Sequence, residues 1–359
     1  MAETKKHTFA VVDRDRMPVP DYLEENTNTK SFVNWGRDNQ FPQHVNYMVR
    51  NSPTLKSCIE SITNYIVGNG VNVKDEASKW KTEVNRRHET MEDLISQIAY
   101  DLIAYGGFAI NVLYSKLGTV AELYALDFTR VRSNYNNTVI YYAPKWGQWT
   151  SKYDAYPAFD RERVDPTHPS QIFYYKGNSR RVYPIPTYEG AFRDCLTEIE
   201  ASKLQLTEMA NGMNAKTIIT LPNDTGTLTE DEKNEIEEAI RAKFTGSEAT
   251  SSFFLTWKEE GLSEVKVDVI KQDDDSNKFV TIKKSARENI FISLRMNPML
   301  AGLNVETGFS REEFAEALAL FQRTVVSGYQ RKIEKAIDSI IAVPGGIQLI
   351  PFTLEREDE

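Results

Sequence analysis

The sequence predicts an α+β fold, and three observations carry that prediction. Aromatic and β-branched runs separated by turn signals recur between residues 108 and 175. Apolar stripes at helical spacing lie on either side of them. Residues 276 to 337 then read as a helix, a short Pro/Gly-broken loop and a much longer helix. The chain of 359 residues, 40% hydrophobic and 26% charged, is long enough to bury a sizeable core and to hold two or three domains.

In chain order, residues 1–30 are polar, with Pro18, Pro20 and an Asn-Thr-Asn-Thr-Lys run, and predict a mobile arm. Ser52 is placed to cap a helix that opens on Pro53, carries Leu55, Ile59, Ile62 and Ile66, and closes at Gly68-Asn69-Gly70. A second helix over 90–105 has Met91, Leu94, Ile95, Ile98, Leu102 and Ile103 and ends at Gly106-Gly107. Strands are predicted over 108–114, 120–126, 139–142 and 171–175, with turns at Gly118 and at Asn134 to Asn137. The Tyr/Pro-rich stretch 153–169 predicts an irregular connection.

Tyr183-Pro184-Ile185-Pro186 leads, extended, into a helix over 188–211 with Phe192, Cys195, Leu196, Ile199, Leu206 and Met209 on one side and Asn211-Gly212 at its end. Between it and the next long helix, residues 214–270 predict a small α/β unit. Its strands are 215–221, 252–257 and 265–270, with an acidic helix over 229–244 whose Thr229 and Glu232 form a capping box.

The helix that follows carries Phe279, Ile282, Ala286, Ile290 and Leu294 as one stripe, with Lys283, Lys284 and Arg287 off it. Pro298 disfavours helical geometry at Asn297 and predicts the stop there. Gly302 and Gly308 permit positive φ, and Ser310 with Glu313 predicts the cap of the last long helix. That helix carries Phe314, Leu318, Phe321, Val325, Ile333, Ile337 and Ile340 over ~30 residues, about 45 Å at ~1.5 Å per residue. Ser327-Gly328 is its predicted kink, and its Phe314/Leu318/Phe321 stripe reads as core packing. Beyond Val343, Pro344-Gly345-Gly346 and a short strand precede an acidic end, Glu355 to Glu359.

The sequence holds no phosphate-binding GxxxxGK[ST] loop, no GxGxxG after a strand, no GxSxG elbow and no CxxC. His88-Glu89 begins like a zinc-protease motif, but Glu92 stands where the second histidine is needed. No catalytic residue, metal ligand set or cofactor is therefore expected. Asp273 to Asp275 lack the alternating spacing of a calcium loop and read as a solvated turn. Cys58 and Cys195 suit small core positions. No stretch reaches the ~20 apolar residues of a membrane span, nor does the N-terminus read as a secretory signal, so no membrane partner is expected. The net charge of −9 argues against a surface that grips nucleic acid broadly.

The helix–loop–long helix of 276–342 resembles the portal proteins of tailed double-stranded DNA bacteriophages, the ring-shaped head-to-tail connectors. The likeness extends upstream through Asn34-Trp35-Gly36-Arg37-Asp38-Asn39-Gln40-Phe41-Pro42, Asn51-Ser52-Pro53 and Tyr65-Ile66-Val67-Gly68-Asn69-Gly70, and is similar to portals from phages of Bacteroidetes hosts. The resemblance implies a portal fold. Its parts would be an N-terminal arm (1–30), an α+β wing (31–187), a first stem helix (188–213), a clip (214–272), a second stem helix (273–297), a tunnel loop (298–309), a long kinked wing helix (310–342) and a short C-terminal strand with an acidic tail (343–359), with little or no crown.

The resemblance further implies a homo-oligomeric ring of about twelve subunits at one capsid vertex of the virion, assembled in the host cytoplasm. Its partners would be the terminase large subunit, head-tail adaptor proteins, major capsid and scaffolding proteins, and the double-stranded DNA in its channel. A mainly repulsive wall suits a sliding polyanion. Met299, Leu300, Leu303, Asn304, Val305 and Glu306 would then lie nearest the DNA, although an ordinary helix connection remains open for 298–309. Lys283, Lys284 and Arg287 fit either a channel-facing basic ring or a solvated helix face with intersubunit ion pairs. Glu230, Asp231, Glu235 and Glu238 would face basic partners of the clip. Two other classes stand beside this reading: a metal-dependent nucleic-acid-processing enzyme of a mobile element, and a virion adaptor or minor head protein.

Overall fold

The computed structural model describes residues 19–25, 31–147, 152–163, 169–177, 179–210, 215–222, 234–236, 238, 253–258, 265–271, 276–302 and 310–354. They fall into two compact units, one formed by 1–196 with 290–359 and the other by 197–289.

In the first unit, β1 (Glu24–Glu25) pairs antiparallel with β2 (Asn34–Trp35), and α1 (Phe41–Asn51) follows. This helix was not predicted, although Phe41, Val45, Met48 and Val49 form a buried stripe behind a proline in the first turn. Helix α2 (Pro53–Val67) opens as expected, with Ser52 Oγ accepting from the Leu55 N–H and Pro53 inside the first turn, and stops at Gly68 with φ 65°. Next come β3 (Val71–Val73), α3 (Lys79–Thr82) and α4 (Met91–Tyr105), the last closed by a Thr90/Asp93 capping box and by Gly106 in the left-handed region. Leu55, Ile59 and Ile62 of α2 and Leu94, Ile95 and Ile98 of α4 are at most 1% exposed, and the two helices pack together at the centre of the core.

Strands β4 (Phe108–Tyr114), β5 (Val120–Leu126) and β9 (Ser170–Tyr175) form an antiparallel sheet in the order β5-β4-β9, with Asn111 opposite both Tyr124 and Ile172. A second antiparallel sheet joins β6 (Val131–Ser133), β7 (Val139–Tyr142) and β8 (Asp154–Pro157). The latter corrects the expected irregular connection: Asp154 to Pro157 has little strand pattern of its own, and pairing with β7 makes it a strand.

The Asn34–Pro42 motif encodes a receptor for a buried arginine. Asn39 takes a left-handed φ of 59°, which Asn tolerates, and the fully buried Arg132 reaches it from β6. Arg132 donates to Asn39, Thr129, Val131 and Gln43, and its guanidinium lies 5.7 Å from the Trp35 ring and 5.1 Å from that of Trp146. Trp35 in turn stacks on Tyr183 with ring centroids 4.5 Å apart. Cys195 and Cys58 are both buried and neither is in a disulfide.

Helix α5 (Phe192–Ala210) begins four residues later than expected, because Glu189–Ala191 forms a 3₁₀ turn first. In the second unit, β10 (Ala215–Pro222) lies between β11 (Phe253–Lys258), parallel to it, and β12 (Lys266–Lys271), antiparallel. A parallel neighbour requires a crossover, and residues 234–236 and 238 between these strands are helical. The Thr229/Glu232 cap, Asn211-Gly212 and Asp273 to Asp275 lie outside the described residues.

Helix α6 (Ser276–Leu294) runs back into the first unit, which also holds α7 (Arg311–Phe321) and α8 (Ser327–Ile341). The expected kink at Ser327-Gly328 is not the irregularity found: a π-helical turn, Gln322–Val326, joins α7 to α8, and Gly328 sits inside regular helix. The reason is register. Leu318 and Phe321 are buried, but the next buried residue is Val326, five positions on, not Val325. An α-helix would rotate Val326 off the core face, and one π turn absorbs the extra residue so that Gln330, Ile333, Ile337 and Ile340 stay inward.

The final strand β13 (Ile347–Leu349) pairs antiparallel with β3. The outward N–H groups of Ile347 and Leu349 are taken by carboxylates one turn apart on α8, Asp338 Oδ1 at 3.2 Å and Glu334 Oε1 at 2.8 Å.

Candidate functional site

The loop between α6 and α7 is built from its two ends. Its first anchor is not Pro298, as predicted, but a helix stop three residues earlier. Arg295 turns left-handed at φ 53°, its N–H donates to Ile292 O at 3.1 Å, and the Met296 N–H reaches Phe291 O at 3.0 Å. These two bonds satisfy the last carbonyls of the helix, with Met296 and Phe291 both buried beside them. Asn297 is extended, as the following proline requires, and its Oδ1 accepts from the Met299 N–H at 3.0 Å to cap the 3₁₀ turn Pro298–Ala301. Gly302, φ 75°, closes that turn in the left-handed region.

This base is fastened to α2. Tyr65 Oη donates to Leu300 O at 2.9 Å, and Ser57 Oγ donates to Ala301 O at 3.1 Å. The far end is fixed by the predicted capping box, Ser310 Oγ accepting from the Glu313 N–H at 3.1 Å and Glu313 Oε2 accepting from the Ser310 N–H at 2.9 Å. Glu312 and Glu313 in the first turn also favour the helix dipole.

Of the residues predicted to lie nearest DNA, Met299 is half-buried and Leu300 is only 3% exposed. The Leu300 side chain therefore belongs to the core in this conformation, because its carbonyl is held down by Tyr65. Leu303, Asn304, Val305 and Glu306, with Gly308, lie outside the described residues. Lys284 and Arg287 are exposed on α6, whereas the half-buried Lys283 donates to Gln205 Oε1 of α5 at 2.6 Å, a contact within the second unit. The expected clip surface is described at Glu235 and Glu238, both exposed; Glu230 and Asp231 lie outside the described residues.

Several apolar side chains on the long helices are uncovered in the single chain. Ile292 is 73% exposed, Leu320 65%, Val280 63% and Leu206 68%, and Ile282, predicted on the buried stripe, is 42% exposed.

Sequence reasoning gave Tyr65 no role beyond its place in a motif and passed over Ser57; on an amphipathic helix that also carries Lys56, Glu60, Ser61, Thr63 and Asn64, nothing local singles these two side chains out. It also passed over a polar depression of about 770 Å³ lined by Glu60, Tyr100, Asp101 and Asp127 among others. Burial pushes the Asp101 carboxyl well above its usual range, and the charge of Asp127 adds to the rise. Among the described residues, no group of three His, Cys, Asp or Glu is placed to hold a metal. Nor is any helix there long and apolar enough to cross a membrane.

The architecture aligns with chains of known structure at low sequence identity. One, from the neck of an empty gene transfer agent particle computed with sixfold symmetry, shares 13% identity, with 86% of this chain and 84% of that one covered, at a TM-score of 0.57. Another, from the neck of the native particle computed with twelvefold symmetry, shares 14% identity at the same coverage and TM-score. A third, an HK97-family phage portal protein from Corynebacterium diphtheriae, shares 10% identity over 85% of this chain and 93% of that one, at a TM-score of 0.50. A search of curated protein sequences finds no match. These likenesses define the class: the chain has a portal fold. A family profile described as phage portal protein matches residues 67–352, and the chain belongs to that family, a structural one.

Proposed function

We propose that the chain is the repeating subunit of an oligomeric ring at one vertex of a phage capsid, the channel through which genomic DNA is packaged and later ejected and the platform for head-tail connector assembly. The observation that carries this reading is the loop of 298–309, fastened at both ends between two long helices, inside the stretch that matches the portal family. Twelve copies suit the twelvefold neck that holds a chain of like fold. The uncovered Ile292 and Leu320 in the first unit, and Val280 in the second, are apolar side chains for neighbouring copies to bury.

The subunit hydrolyses nothing itself, and the ATPase is a separate terminase large subunit. This division agrees with the lack of a phosphate-binding loop in the sequence. Residues 214–272 form the clip that meets the motor and later the adaptor proteins, with exposed Glu235 and Glu238 toward basic surfaces. Lys284 and Arg287 touch phosphates in passing, while Met299 and residues 303–306 brace the duplex without binding it tightly. Capsid and scaffolding proteins contact the ring from outside.

The test is deletion of residues 299–307. Rings with a central hole should still form under the electron microscope, and particles built on them should hold less DNA. Unchanged DNA content would remove the channel role of this loop.

A further inference from the structure

The C-terminal segment and the base of the loop meet at one side chain. Tyr65 sits in the last turn of α2, its hydroxyl on Leu300 O. Its ring stands edge-on to Phe321, the last residue before the π turn, with centroids 6.0 Å apart, and edge-on to Phe352 at 5.5 Å. The segment carrying Phe352 is itself tied down. The Asn69 N–H donates to Ile350 O at 3.0 Å, the Ile350 N–H donates to Gly70 O at 3.0 Å, and Asn69 Nδ2 donates to Thr353 Oγ1 at 3.0 Å. Gln322 Nε2, within the π turn, reaches Phe352 O at 3.4 Å.

We propose that Tyr65 is a positioning residue through which the C-terminal segment 347–354 sets the base of the loop. The hydroxyl can hold Leu300 O only while the ring keeps its orientation, and Phe321 and Phe352 are the aromatic walls that fix it. Lifting the segment off removes one wall and frees the ring to turn, so the carbonyl at the base loses its donor. Any partner that engages residues 350–354 would thereby change the loop from outside it. The inference deepens the channel reading and rests on it for its biological meaning, but the mechanical link is a property of the subunit alone.

Hydrogen exchange on the assembled full-length protein tests the link, read at the Leu300 and Gly302 amides, which donate to Asn297 O and Met299 O. Tyr65→Phe keeps the ring and deletes the hydroxyl, and should speed exchange there about fivefold, the size expected for one lost net hydrogen bond, with α4 amides unchanged. Phe352→Ala should act in the same direction, and the double variant should match Tyr65→Phe alone, because Phe352 acts through the hydroxyl. Unchanged exchange in Tyr65→Phe, no effect of Phe352→Ala, additive effects in the double variant, or equal acceleration in α4 would each overturn the proposal. Loss of the channel role is read separately, from the DNA content of particles carrying the 299–307 deletion.

Discussion

Arg132 closes on both oxygens of Asn39: its Nε lies 2.6 Å from Oδ1 and its Nη2 lies 2.6 Å from the backbone carbonyl. Among the described residues no carboxylate hydrogen-bonds to Arg132, so the buried cation is held by neutral acceptors and two indole faces, with the charge of Asp38 acting from farther off. Burial pulls its pKa down to about 10, which leaves it charged at neutral pH. Replacing Arg132 with Met leaves Asn39 Oδ1 its Trp35 N–H and Thr129 O its Gln43 donor, but takes the guanidinium from Asn39 O and Val131 O. Two stranded carbonyls should cost about 3 kcal/mol in denaturant unfolding. Lys, lacking the planar fork, should not rescue it.

Asp101→Asn should raise the thermal midpoint at neutral pH. The folded state holds the Asp101 proton to a higher pH than the unfolded chain does. Between the two pKa values the folded state binds more protons, and stability falls as pH rises. Asn removes that cost, so the gain should be largest at neutral pH and vanish as pH falls below the unfolded carboxylate range, ~4. A midpoint unchanged at neutral pH would contradict the environment described for Asp101.

Gly68→Ala should detach the C-terminal segment. A Cβ there would meet Ile350 O at 2.0 Å on a residue whose φ is 65°, so both contact and conformation forbid it. Limited proteolysis should then cut within residues 347–354 while α2 and α4 stay protected.

Deleting Thr324 removes one residue from the π turn and places Phe321 and Val326 at ordinary helical spacing. The buried face is preserved, so the subunit should keep its stability to within about 1 kcal/mol. DNA packaging should nevertheless fall, because losing the extra residue shifts α7, and the loop it carries, relative to α8. A variant that packages normally would show the π turn to be dispensable.

Much of the fold was legible because local and tertiary preferences agreed. The strands Phe108–Tyr114, Val120–Leu126 and Val139–Tyr142 carry their own β-branched and aromatic pattern, and Ser52, Gly106 and Ser310 punctuate helices by local capping chemistry alone. Where sequence reasoning failed, the deciding partner was distant. Asp154–Pro157 becomes a strand only against β7, and Val326 replaces Val325 on the core face only because the π turn shifts the register. Arg132 could not be read as buried, since arginine rarely is, and its acceptor Asn39 lies ninety-three positions away. At the loop, the Ser310 cap was readable from four consecutive residues, whereas the Tyr65–Leu300 bond spans two hundred and thirty-five.

The carboxylates of Glu334 and Asp338 have a consequence beyond their own helix. They occupy the rim of a two-stranded ribbon that would otherwise offer free amides to any extended peptide nearby. Where many identical copies crowd together, an open rim invites one chain to splice its strand onto the next. Two well-placed acids deny that shortcut, and leave neighbours to recognise each other through side chains instead of through indiscriminate backbone zippering.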